Sequence, residues 1–186
     1  MKTLRMILAS AATIAVLLGC GASNPTKTAV SAEAMKSPVT IVDTVPYAAN
    51  SGVTTAVMAE CLINQQLPEF IESYASGYDI AVVRDSKKAT QKTKVSGKIL
   101  ELEFSQVYGM GGGAWSGAKS VTVTGTLKEN GKTVGSFVGT RVSGGGAFGG
   151  YKGTCSILGR CVKALGDDIA RWMKAPTMNA RLGDAR

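Results

Sequence analysis

Histidine is absent from all 186 residues. That removes Ser-His-Asp and Cys-His nucleophilic catalysis, imidazole general bases and the zinc sites built on imidazole. Acid–base chemistry is left to carboxylates, of which two pairs lie close in sequence: Glu101 with Glu103, and Asp167 with Asp168. Residues two apart on a strand share a face, and neighbours on a helix point about 100° apart. Both patterns suit solvated surfaces better than the facing acid and base of a glycan-cleaving site. No catalytic, cofactor-binding or metal-ligating residue is assigned, and no cofactor is expected.

Three cysteines, Cys61, Cys155 and Cys161, follow Cys20. None forms a CxxC pair and no fourth ligand accompanies them, so structural bridging is expected over redox or metal chemistry. Three pairings are open, and each leaves one thiol over. If Cys155 and Cys161 share a regular helix they stand about 9 Å apart, beyond the roughly 7 Å Cα limit of a disulfide. A bridge from Cys61 to either would staple the first helix to the last, closing a loop of about 100 residues and contributing about 2–4 kcal/mol. A local Cys155–Cys161 bridge needs Cys155 outside the helix, which Gly153 and Gly159 would permit.

Two glycine-rich segments run from Gly109 to Gly117 and from Gly144 to Gly153. Neither fits GxGxxG on a strand-to-helix turn with an acidic residue about twenty positions on, so no dinucleotide loop is expected. The stretch from Gly125 to Thr133 has five residues, not four, between Gly125 and Gly131, and it falls on a hairpin turn, so it is no P-loop. Both segments set large apolar side chains, Met110, Trp115, Phe148 and Tyr151, on backbone that bends freely. They read as long turns covering one end of the core or as a lip that contacts a partner. These four are the candidate partner contacts.

The N-terminus carries Lys2 and Arg5, an apolar run from Met6 to Leu18, then Leu17-Leu18-Gly19-Cys20. At about 13 residues the run is too short to span a bilayer, which takes roughly 20. A charged n-region, an apolar h-region and Cys20 at the cleavage point resemble the lipobox of bacterial lipoproteins. That resemblance implies removal of residues 1–19, a diacylglycerol thioether on Cys20 and usually a further acyl group such as palmitate. Several chains make stable anchoring, at about 0.8 kcal/mol per buried methylene. Gly21, Ala22 and Ser23 follow Cys20 with no Asp, which in such proteins points to the outer membrane and its periplasmic face.

Without residues 1–19, which hold Lys2 and Arg5 and no acidic residue, the formal net charge falls from +8 to +6. A basic surplus suits anionic envelope components. Lysine and arginine form no run longer than Lys87-Lys88 and do not interleave with aromatics, so nucleic acid is not an expected partner.

Residues 20–36 read as the lipidated cysteine and a flexible tether, small and polar. Residues 176–186 read as a disordered tail, and 37–175 as one domain large enough for a core. Val39–Val42 reads as a strand; Val53–Tyr74 carries helix formers, with Pro68 starting a second turn or kink. Tyr78–Val83 is a short strand and Arg84–Thr93 a solvated loop. Three alternating runs follow, Val95–Tyr108, Ser120–Lys128 and Thr133–Val142, the first with Leu100, Leu102 and Phe104 opposite Glu101, Glu103 and Ser105. Asn130-Gly131 joins the last two as a type I′ hairpin. From Cys155 to Lys174, Leu158, Cys161, Val162, Leu165, Ile169 and Trp172 make one helical stripe. The expected fold is α+β, a mostly antiparallel sheet of about five strands with two helices on one face.

The lipobox, the glycine-rich hairpins and the closing GTCSILGRCVKALGDDIARWM resemble a family of small uncharacterised proteobacterial lipoproteins with an α+β domain. More distantly, the layout is similar to auxiliary lipoproteins of envelope transport and assembly systems. The function this implies is non-enzymatic: an outer-membrane lipoprotein, facing the periplasm, that binds or assembles an envelope protein or glycan. The alternative is a histidine-free enzyme acting on cell-wall or glycan material through carboxylates.

Overall fold

The computed structural model describes residues 37–89, 96–109, 118–144 and 153–186. Among these residues, six strands and four helices follow one another as β1 (Val39–Ile41), α1 (Thr55–Glu60), α2 (Ile63–Ser76), β2 (Val82–Arg84), α3 (Ser86–Ala89), β3 (Lys98–Tyr108), β4 (Lys119–Glu129), β5 (Lys132–Ser143), α4 (Thr154–Trp172) and β6 (Ala180–Gly183). The strands form one sheet in the order β2-β1-β3-β4-β5-β6. The α+β class is as expected, but the sheet is mixed. The long ladders β3–β4 and β4–β5 are antiparallel, whereas β1–β2, β1–β3 and β5–β6 are parallel. Only β4 therefore runs against the rest. Helices supply the parallel crossovers, α1 and α2 between β1 and β2, and α4 between β5 and β6, as parallel neighbours require.

The sixth strand comes from residues expected to be disordered, which is a correction. Ala180–Gly183 pairs with Phe137–Thr140 along the edge of β5. The Ser136 amide donates to the Thr177 carbonyl at 3.0 Å, and the Val142 amide to the Asp184 carboxylate at 2.9 Å. Backbone pairing with an exposed edge holds this segment, and such pairing needs no hydrophobic run in sequence.

The first helical stretch is broken at Leu62, not at Pro68. Leu62 sits in the left-handed region (φ 49°) between α1 and α2, while Pro68 lies inside α2. A proline six residues into a helix leaves the carbonyl four residues back without its donor. That carbonyl belongs to Asn64, and the Val45 amide donates to it at 3.0 Å. The expected turn at Asn130-Gly131 does form, with φ 50° and 81°.

One core lies between the sheet and helices α2 and α4, with Ile63, Leu67, Ile71, Leu158, Val162, Leu165 and Ile169 against Leu100, Phe104, Val121, Val123 and Phe137. On β5 the inward positions are Gly135, Phe137 and Gly139. A Cβ at Gly135 would stand 2.7 Å from the Trp172 ring, and one at Gly139 3.1 Å from Leu165. The glycines thus let α4 lie close to the sheet, while Phe137 fills the space over Gly125 and meets Trp172 edge-on at 4.9 Å. The consequence falls on the opposite face, where Val138 and Val142 are turned out to solvent.

Candidate functional site

The carboxylate pairs occupy separate places. Glu101 and Glu103 point outward from β3 and are exposed. Glu101 accepts from Lys128 Nζ at 2.7 Å across the hairpin. Asp168 accepts from Nε and Nη2 of Arg141, each at 2.7 Å, a bidentate pair tying α4 to β5, with Asp184 of the C-terminal segment 3.6 Å from the same guanidinium. Hydrogen bonding to Asp168 is the main reason the Arg141 pKa is raised. Asp167 accepts from Tyr78 Oη at 2.8 Å and pairs with Arg171 one turn on, while Lys174 lies over the Tyr78 ring at 5.0 Å. These contacts fasten helix to strand and chain end to sheet.

Of the three open cysteine pairings, the structure forms Cys61–Cys155, with Cα atoms 4.7 Å apart and a separation of 94 positions in sequence. Cys155 lies in the first turn of α4, so the bridge joins the C-terminal end of α1 to the start of the last helix. Cys161 is left as a buried thiol, and burial pushes its pKa up to about 11. A thiol held protonated in this way is a poor nucleophile. Asp43 shows the reverse shift. Hydrogen bonds from the Ser86 hydroxyl and amide hold its carboxyl below the usual range and clasp the segment after β1 to α3.

Cys20, the leader, the tether, Met110, Trp115, Phe148 and Tyr151 lie outside the described residues. Only the attachments of the two glycine-rich connections are placed: one joins β3 to β4 and the other β5 to α4. Tyr108, Ser120 and Val142 are register partners at that end of the sheet.

The broadest feature that sequence reasoning did not single out is the sheet face turned away from α2 and α4. Its central rungs read Tyr108–Ser120–Val142, Gln106–Thr122–Thr140–Gly183, Glu103–Thr124–Val138–Arg181 and Glu101–Thr126–Ser136. Tyr108 and Val142 are each 53% exposed and Val138 39%. Thr122 and Thr140 share a hydrogen bond of 3.0 Å, and Ser105 Oγ donates to the Thr122 carbonyl at 3.3 Å. At the β1 end this face is closed, since Thr40 and Ile99 are buried and α3 lies beside β1 and β3. A bulge between Phe104 and Gln106 reverses the facing of the end of β3, so Val107 enters the core and Tyr108 faces out. One extra residue in a strand exchanges its faces, and strict alternation cannot announce it. A signal was present on β5, where three valines four apart alternate with glycines, but which set faces inward depends on α4.

Glu101, Leu102, Glu103, Thr124, Gly125 and Thr126 line a depression of about 200 Å³ on this face. That is less than the roughly 300 Å³ at which small-molecule sites begin. The arrangement suits a flat contact: hydroxyls and methyls in the middle, apolar side chains at one end, a carboxylate at one side and a guanidinium at the other. Among the described residues, no group of three or more carboxylate and thiol side chains is placed to hold a metal ion.

Among the described residues, the class defined here is a two-layer α+β domain stapled by one disulfide, with one sheet face left open by the helices. No protein-family model and no curated protein matches the chain. Among solved structures, an uncharacterised protein is similar at a TM-score of 0.50 and 14% identity, over 73% of this chain and 92% of that one. The PelC dodecamer from Paraburkholderia phytofirmans gives a TM-score of 0.44 at 16% identity over 70% and 86% of the two chains. A minor lipoprotein from Acinetobacter baumannii gives 0.43 at 11% identity over 75% and 93%. At these identities the likeness concerns the fold.

Proposed function

We propose that this chain is a lipid-anchored outer-membrane protein, facing the periplasm, that works by docking a macromolecule on its open sheet face and not by catalysis. The observation carrying this reading is the uncovered rung system of β3, β4 and β5, where Tyr108, Val138 and Val142 remain exposed although half the sheet is packed under helices. Single exposed valines are ordinary, but apolar side chains grouped on one flat face mark contact surfaces. Three of the four carboxylates that lie close in sequence support the same reading, since Glu101, Asp167 and Asp168 are committed to Lys128, Arg171 and Arg141. The lipobox at Cys20 supports the anchor, and no helix among the described residues is long and apolar enough to cross a membrane.

A photo-crosslinking residue placed at Thr124 in the full chain is expected to capture a macromolecule in living cells, whereas the same residue at exposed Lys163 on α4 captures none. Absence of any product at Thr124 overturns the docking reading. Cys20→Ser is expected to move the protein from the membrane fraction to the soluble periplasmic fraction; unchanged fractionation overturns the anchor.

A further inference from the structure

Two charges of opposite sign that make no ion pair share one rung of the open face. Among the described residues, Glu103 and Arg181 make no ion pair, while Glu101, Glu69, Glu72, Asp167, Asp168 and Asp184 all have cationic partners. Glu103 opens the rung on β3 and Arg181 closes it on β6, with Thr124 and Val138 between them. Three strand spacings of about 4.8 Å put the two backbone positions roughly 14 Å apart, too far to pair within one molecule. Both are exposed and on the open face.

Resting on the docking reading above, we propose that the open face is occupied by the same face of a second copy, related by a twofold axis that runs along the strands between β4 and β5. Such an axis reverses the order of strands across the interface. Glu103 of one copy then faces Arg181 of the other, twice over, and Thr124 faces Val138. The alternative twofold, perpendicular to the strands, would lay β3 on β3 and set Glu101 and Glu103 against themselves, which like-charge repulsion disfavours. The favoured arrangement also sets Gln106 over Gly183, where no side chain competes for space, and Val142 over Ser120. It is an isologous interface of the aligned sheet-on-sheet kind, with strands crossing at about 30° and sheets roughly 10 Å apart.

Four strands wide and four rungs long, the face presents roughly 500 Å² per copy, or about 1,000 Å² in all, at the lower bound for a specific interface. The association is therefore weak in dilute solution. Confinement of both copies to one membrane surface raises their effective concentration and favours it.

The test uses the full chain in cells, carrying the photo-crosslinking residue at Thr124. The expected product has twice the mass of the chain. Glu103→Arg and Arg181→Glu, each alone, are expected to cut its yield about tenfold, and the double reversal to restore it. Both positions are exposed, so unchanged far-ultraviolet circular dichroism is expected of every variant. A doubled-mass product that ignores the single reversals, or that the double reversal leaves depleted, overturns the twofold proposal. A product containing only a different protein or a glycan also overturns it, while leaving the docking reading standing; no product at all removes both.

Discussion

Gly159 and Gly166 both interrupt the good helix formers of α4, yet a methyl group added at each meets a different neighbourhood. At Gly166 the new Cβ would lie 2.6 Å from Phe70 Cβ and 3.1 Å from the Phe70 carbonyl carbon, so the glycine is where α4 crosses α2. At Gly159 the nearest atom is the Gln66 amide oxygen at 3.4 Å. Alanine gains about 1 kcal/mol of helix propensity at either site, but at Gly166 the forced separation of two helices costs more. Gly166→Ala is therefore expected to destabilise by about 1–3 kcal/mol, and Gly159→Ala to stabilise by up to about 1 kcal/mol, both read from urea unfolding midpoints. The Cys161 thiol belongs to the same scale. Burial raises its pKa from 9.0 to about 11, so between those pH values the unfolded chain ionises the thiol and the folded chain does not. Stability from the neutral thiol is complete below pH 9 and lost as pH rises toward 11, by about 2–3 kcal/mol over the window. Wild type is expected to lose stability relative to Cys161→Ala across that range; parallel pH profiles for the two would refute the assignment.

Among the elements, β6 carries the most consequence for its length. It covers the edge of β5, and Arg141 joins it through Asp184 to α4 through Asp168. Leu182 packs on the core from this strand. A chain ending at Ala175 loses the strand and bares the β5 edge, an invitation to intermolecular pairing. The expected result is a melting temperature lower by about 5 °C or more, with light scattering that grows with concentration. Such a strand hides from pattern reading because four residues that alternate Ala, Arg, Leu and Gly carry little hydrophobic signal. The long strands were plain for the opposite reason, as each is eleven or twelve residues with a clear period of two. What alternation left undecided was facing. The bulge after Phe104 and the glycines of β5 turn Tyr108, Val138 and Val142 outward, and both follow from contacts distant in sequence.

At the scale of the whole molecule, Cys61–Cys155 links the first third of the chain to the last helix across 94 residues. It closes most of the domain into one loop, so reduction frees the unfolded chain far more than the folded one. Reduction under native conditions, or the paired change Cys61→Ala with Cys155→Ala, is expected to cost about 2–4 kcal/mol while the fold persists, because α2 and α4 still share the core. Loss of all cooperative unfolding would show instead that the staple is indispensable. Composition and spacing alone settle the α+β class, the hairpin at Asn130-Gly131, the apolar stripe of α4 and the exclusion of histidine chemistry, since each is a local property of residue types at fixed intervals. They also exclude a bridge between two cysteines of one regular helix. Which cysteine pairs with Cys61, which strands run parallel, that the chain end forms a strand, and which face of β5 stays open were decided only when α2 and α4 packed on the sheet. Those choices depend on how distant segments share space, and no local interval of residues contains that information.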